Sequence, residues 1–251
     1  MSAIKQIRDY LAENCIDALV LYNSDPHESE YLAPRYCSIE WLSGFKGENA
    51  KMVITPSRSV LWTDPRYEIQ VAQDLAGSDI EVLMERVPNA ISIPDFLKSV
   101  EAKTIAIDSL TTSVAAALEL QDVTENALIC LPDFLDRFWK ERPAMPCKDI
   151  FEADVRYMGE SREERLSWLR GIMEKEGTDY ILISELSEIA WLLNIRSSEI
   201  DYNPLAMAHL LVSLDDAYLY IRKIGKAHGE ITTASTFAAL EQAGVSIYDY
   251  D

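Results

Sequence analysis

Residues 41–67 read WLSGFKGENAKMVITPSRSVLWTDPRY. Two apolar runs, KMVIT (51–55) and SVLWT (59–63), flank the turn region Thr55-Pro56-Ser57-Arg58-Ser59, a pattern for two strands joined as a hairpin. Past the second run, Asp64 can cap a helix by accepting backbone N–H groups, with Pro65 at the first helical position, where its missing N–H costs nothing. Arg66 then falls in the first helical turn, where the positive end of the helix dipole disfavours a cation. Such a guanidinium either pairs on the surface with Asp64 or Glu68, or reaches a group outside its own helix.

Outward from this stretch, strand and helix patterns alternate. A helix over 3–14 leads to a strand at 17–22 (DALVLY), and a short helix is expected near 38–43. Helix 65–76 stops at Gly77. Strand 79–84, a helix starting near Pro94, strand 104–108, helix 112–121 and strand 126–131 complete the set. Apolar strands interleaved with helices indicate an α/β fold, a mixed sheet with helices on both faces. KERPAMPCKDI at 140–150 carries two prolines and little periodicity and reads as a linker.

The pattern then repeats. Helix 161–176 ends at Gly177, TDYILIS at 178–184 echoes IDALVLY at 16–22, and Ile189-Ala190-Trp191-Leu192 echoes Ile39-Glu40-Trp41-Leu42. AMAHLLVSL, the turn Asp215-Asp216, and AYLYIRK mirror the 51–63 hairpin. Helix 234–243 and strand 245–249 follow. The first half uses roughly another 45 residues beyond its equivalent strand, so the second half is expected to be cut inside its domain. Domain one is placed at 1–140, a linker at 141–150, and a second, similar, truncated domain at 151–251.

A balance of 23 basic to 42 acidic residues gives a net charge of −19, which argues against nucleic acid or an anionic membrane as partner. No apolar run is long enough for a spanning helix, and the N-terminus lacks a signal-peptide core, so the default location is the cytoplasm. Cys15, Cys37, Cys130 and Cys147 form no C-x-x-C pair, and Cys15 and Cys130, beside or within apolar runs, are expected as buried thiols. The histidines His27, His209 and His228 lack zinc-site spacing. His209 is expected as a hydrogen-bonded core residue, His228 as exposed, and His27 in a loop held by local side-chain bonds. Trp41, Trp62 and Trp191 are expected in the core. No phosphate-binding glycine loop and no nucleophile elbow occur. The residues alone compose no complete active site and no metal site.

Three blocks, SDPHESEYLAP (24–34), WLSGFKG (41–47) and LWTDPRYEIQVAQDL (61–75), resemble the N-terminal domain of the creatinase and Xaa-Pro aminopeptidase family, peptidase family M24. EIAWLLNIRSSEIDYNPLAMAHLLVSLDDAYLYI (188–221) resembles the second domain of the three-domain Xaa-Pro aminopeptidases. The resemblance implies two creatinase N-terminal-like domains from an enzyme that removes an N-terminal residue preceding proline. It implies two divalent metal ions, usually manganese, held by two Asp, one His and two Glu in a C-terminal pita-bread domain, with none in this chain. Bridging water or hydroxide is then the nucleophile. The partners implied are that catalytic domain and a proline-containing peptide; a homodimer is left open. Arg66 occupies the position of the family's substrate-touching Arg. Two departures stand out: Pro65 for the usual Gly, and Glu48-Asn49-Ala50 for the usual Ser-Ala-Gly. The chain alone is expected to hydrolyse nothing. The rival reading is a stand-alone interaction module of the same fold.

Overall fold

The computed structural model describes residues 2–124, 126–222 and 231–250. They form two compact units. The first contains the chain up to Pro26 and Pro34–Ala144; the second contains His27–Ala33 and the chain from Met145.

In the first unit α1 (Ala3–Glu13) starts where the Ser2 hydroxyl accepts from the Lys5 N–H, and it buries Ile4, Ile7 and Leu11, one face at helical spacing. It is followed by β1 (Ala18–Tyr22), α2 (Ser38–Ser43), β2 (Ala50–Ile54), β3 (Ser59–Thr63), α3 (Glu68–Asp74), β4 (Ile80–Met84), α4 (Ile93–Ser99), β5 (Ile105–Ile107), α5 (Val114–Gln121) and β6 (Ile129–Cys130). The sheet order is β4-β3-β2-β1-β5-β6. β2 is antiparallel to β1 and β3, whereas the β3–β4, β1–β5 and β5–β6 pairs are parallel. One face packs Leu19, Leu21, Met52, Ile54 and Leu61 against α1, α2 and α3. The other packs Val20, Val53, Val60 and Trp62 against Ile93, Phe96, Leu97 and Leu120 of α4 and α5. The expected helix over 65–76 is a 3₁₀ turn at Pro65–Tyr67 that leads into α3.

The second unit comprises β7 (Phe151–Glu152), α6 (Val155–Met158), α7 (Arg162–Glu176), β8 (Tyr180–Ile183), α8 (Leu186–Leu192), β9 (Ile195–Arg196), β10 (Ala208–Ser213), β11 (Ala217–Ile221), α9 (Ile231–Gln242) and β12 (Val245–Tyr248). Its main sheet runs β12-β11-β10-β8, and β7 pairs with β9 in a separate ribbon. The order and strand directions copy β4-β3-β2-β1. The two hairpins share their turn chemistry. Thr55 Oγ1 accepts from the N–H of Arg58 at 2.9 Å, and Ser213 Oγ accepts from the N–H of Asp216 at 2.8 Å. α7 opens on a capping box, Ser161 with Glu164. Helices α7, α8 and α9 contribute Leu166, Met173, Ile189, Leu192 and Leu240 to the core on one sheet face.

Several single-residue expectations are corrected. Cys15 and Cys130 are exposed free thiols. Cys15 takes φ +54° just past the end of α1, and Cys130 lies on the edge strand β6. Trp62 is buried, but Trp41 is half-buried and stacks on Trp139 with ring centroids 4.7 Å apart. Trp191 is exposed, and the Arg165 guanidinium sits 4.6 Å from its ring centroid, a cation–π contact.

Candidate functional site

The loop after α2 and the turn after β3 meet at one end of the first sheet. Phe45 plugs the loop into the core and is 1% exposed. Gly47 lies so close to the Phe45 ring that an added Cβ would sit 2.2 Å from Cζ, a contact no side chain tolerates. Glu48 and Asn49 are thereby held beside the turn. The Asn49 carbonyl accepts from Thr63 Oγ1 at 2.7 Å, the Asn49 amide donates to Asp64 Oδ2 at 3.4 Å, and Tyr67 OH donates to Glu48 Oε2 at 3.4 Å. The two departures noted in the sequence, Glu48-Asn49-Ala50 and Pro65, therefore belong to one surface.

Asp64 organises that surface. Its Oδ1 accepts the Arg66 backbone N–H at 2.8 Å, and its Oδ2 accepts from Arg66 Nε at 2.9 Å and Nη2 at 2.6 Å. The Arg66 side-chain hydrogen bond, with smaller contributions from its backbone N–H and Asn49, holds the Asp64 carboxyl down at about 2. This local pairing explains how a cation is tolerated in the first turn: the capping carboxylate neutralises it. One edge of the guanidinium is fixed on Asp64, and the side chain is 73% exposed. No described residue accepts a hydrogen bond from Nη1. The arrangement can donate to a carbonyl or carboxylate from outside.

The other chemistry-bearing residues assemble elsewhere. His27 and His209 come together in the second unit, ring centroids 4.5 Å apart. His27 Nδ1 donates to the Ser184 carbonyl at 2.7 Å, and its Nε2 lies 2.8 Å from Tyr250 OH. These two partners of His27 are distant in sequence. His209 Nδ1 lies 3.0 Å from Ser184 Oγ, so its expected hydrogen bond is present on a half-buried ring. His228 lies outside the described residues. In the first unit, Arg142 is almost wholly buried and donates to Asp133 at 2.9 Å, Asp136 at 2.8 Å and the Arg35 carbonyl at 3.0 Å. Arg142 falls within the 140–150 stretch that reads as a linker in the sequence. The spacing of Asp133 and Asp136 ahead of it was the signal available. Among the described residues, no group of three or more His, Cys, Asp or Glu side chains could hold a metal ion. These residues therefore do not fit a two-metal centre.

Residues 4–137 and 141–251 each match a family described as the creatinase/prolidase N-terminal domain. The chain belongs to the creatinase/prolidase N-terminal family. It is 33% identical over 225 residues to a probable Xaa-Pro aminopeptidase P of Laccaria bicolor, a match covering 87% of this chain and 35% of the relative. It is 32% identical over 244 residues to aminopeptidase P2 of Arabidopsis thaliana, covering 94% of this chain and 33% of the relative. The crystal structure of an X-prolyl aminopeptidase from Caenorhabditis elegans, described as a cytosolic enzyme with a di-nuclear active site, superposes with a TM-score of 0.84 at 28% identity. That match covers 94% of this chain and 38% of the nematode chain. This member of the family thus spans about a third of the length of its relatives, with both matched domains in that third.

Proposed function

We propose that the chain is the non-catalytic N-terminal portion of a metal-dependent Xaa-Pro aminopeptidase, in which it walls the approach to a catalytic domain and contributes Arg66 to the substrate. The observation that carries this reading is the exposed Arg66 guanidinium, braced on a buried Asp64, in a chain whose relatives are named Xaa-Pro aminopeptidases. Bracing fixes the direction of the remaining donor and lowers the entropy lost when a substrate carbonyl is engaged. The metal pair, with manganese as its expected identity, belongs to the catalytic domain, and the parent is placed in the cytoplasm by the reading of the sequence.

The test uses the parent enzyme on an Xaa-Pro-Xaa peptide with Mn²⁺. Replacing Arg66 by Ala should lower kcat/KM by roughly tenfold, the worth of one charge-assisted hydrogen bond. Unchanged kinetics would remove Arg66 from the substrate site. The isolated 251-residue chain should show no metal-dependent turnover under the same conditions, and turnover would overturn the non-catalytic reading.

A further inference from the structure

α7 buries Leu166 and Met173 in the core of the second unit, and the residues on its opposite side stand in solvent. Glu164, Trp168, Gly171 and Lys175 follow one another at spacings of four, three and four, which sets them in one line along the helix. Trp168 is 57% exposed, and Ile172, beside it on the same side, is 38% exposed. The exposed Trp191 meets the Trp168 ring edge-on at 5.9 Å, and the Arg165 guanidinium holds Trp191 in place by its cation–π contact. Tryptophan is the residue type that most often anchors a protein interface, and here two adjoin in solvent.

Gly171 is a second, independent observation. It sits in mid-helix, where glycine is the poorest helix former after proline. Outside its own helix backbone and its immediate neighbours, no atom lies within 4 Å of where its Cβ would stand. Packing within this chain therefore does not call for a glycine, whereas a second helix crossing at close range would. One turn further on, Lys175 is exposed and, among the described residues, pairs with no carboxylate.

The geometry points to a twofold, antiparallel pairing of α7 with α7 of a second copy of this chain, the axis passing between Leu169 and Arg170. Turning the line end for end sets Trp168 over Gly171 of the partner subunit, a large side chain against none. It also sets Glu164 against Lys175 of the partner subunit, and each contact occurs twice. A parallel pairing would instead stack Trp168 on Trp168, Glu164 on Glu164 and Lys175 on Lys175. A strongly acidic or strongly basic partner would meet one favourable and one unfavourable charge along the line. A second copy, set antiparallel, satisfies all four positions. α7 has 15 residues and is about 22 Å long, so the pair buries less than a standard interface and associates at micromolar concentrations or above. The inference goes beyond the peptidase reading and does not rest on Arg66.

The experiment is sedimentation velocity on the 251-residue chain over a concentration series reaching about 500 µM, where weak interfaces are populated. A reversible dimer is expected. Trp168→Ala should raise its dissociation constant at least tenfold. Gly171→Gln should raise the melting temperature, because glutamine favours helix and the space around the position is open, yet weaken the dimer by a similar factor. A glycine that is merely tolerated gives the first effect without the second. Lys175→Glu should weaken the dimer about tenfold by setting like charges against Glu164. Adding Glu164→Gln, which keeps the capping box with Ser161, should recover at least about threefold of that loss. A chain that stays monomeric throughout would overturn the inference. So would a dimer that Trp168→Ala and Lys175→Glu leave unchanged, which is held elsewhere, or a Lys175→Glu defect that Glu164→Gln does not relieve. None of these readouts depends on catalysis, so the failure of the peptidase reading and the failure of this one are separable.

Discussion

Arg66 Nη2 lies 2.6 Å from Asp64 Oδ2, and the same carboxylate caps the turn that carries Arg66. One acid therefore sets both the local backbone and the direction of the guanidinium. The depressed Asp64 pKa fixes the sign of its pH dependence. Its contribution to stability is fully present above the ordinary carboxylate value of 3.8 and is lost as pH falls toward about 2. Carboxyl-carbon NMR should give Asp64 a midpoint near 2, and Arg66→Ala should return it toward the ordinary range. A midpoint near 4 in the unmodified chain would show that the pair does not persist in solution.

Arg142 should be the costliest single charge to remove from the first unit. Its guanidinium is 3% exposed and bridges Asp133, Asp136 and the Arg35 carbonyl, so Arg142→Ala removes three hydrogen bonds and leaves Arg35 as the remaining cation on both carboxylates. We expect a loss of about 1.5 kcal/mol in urea unfolding, with little rescue by Lys, which cannot fork across several acceptors. A loss below about 0.5 kcal/mol would mean that the cluster is solvated in practice.

Thiol reactivity separates exposed from hindered cysteines. Cys15 and Cys130 are exposed, whereas Cys147 is half-buried, and burial followed by the charge of Glu199 pushes its thiol pKa up. Iodoacetamide at neutral pH, followed by peptide mass mapping, should label Cys15 and Cys130 first and Cys147 last. Early labelling of Cys147 would contradict its place beside the Arg222 carbonyl.

The elements legible in the sequence are those whose cause is local. The hairpins were legible in their turn residues, Thr55 to Ser59 and Asp215-Asp216, and α7 in a helical run that stops at Gly177. The β7–β9 ribbon, two residues per strand, is too short for any periodicity to register. The place of His27 in the second unit was equally hidden, because its partners Ser184 and Tyr250 lie 157 and 223 positions away. Asp64 as cap and as one candidate partner of Arg66 could be read from three adjacent residues. That Glu48 and Asn49 join them could not, since it depends on Phe45 anchoring a loop from another part of the chain. The exposure of Cys15 turned on one positive φ angle, which a neighbouring apolar run does not encode.

His209 should make the second unit acid-sensitive at mild pH. Burial and then the neighbouring His27 lower its pKa from 6.5 to about 4. The unfolded chain therefore takes up a proton through pH 6.5 that the folded chain refuses until about 4. Stability must rise with pH across that window and contribute no further slope above it. The slope from this residue is at most one proton. An imidazole NMR titration should place His209 near 4, and His209→Gln should flatten part of the urea-stability profile between pH 4 and 6.5 while leaving it unchanged above pH 7. A midpoint near 6.5 would mean that the ring is solvated and free of His27. That result would also remove one contact that holds His27 on this sheet, the ring pair, which stands beside its bonds to the Ser184 carbonyl and the Tyr250 hydroxyl.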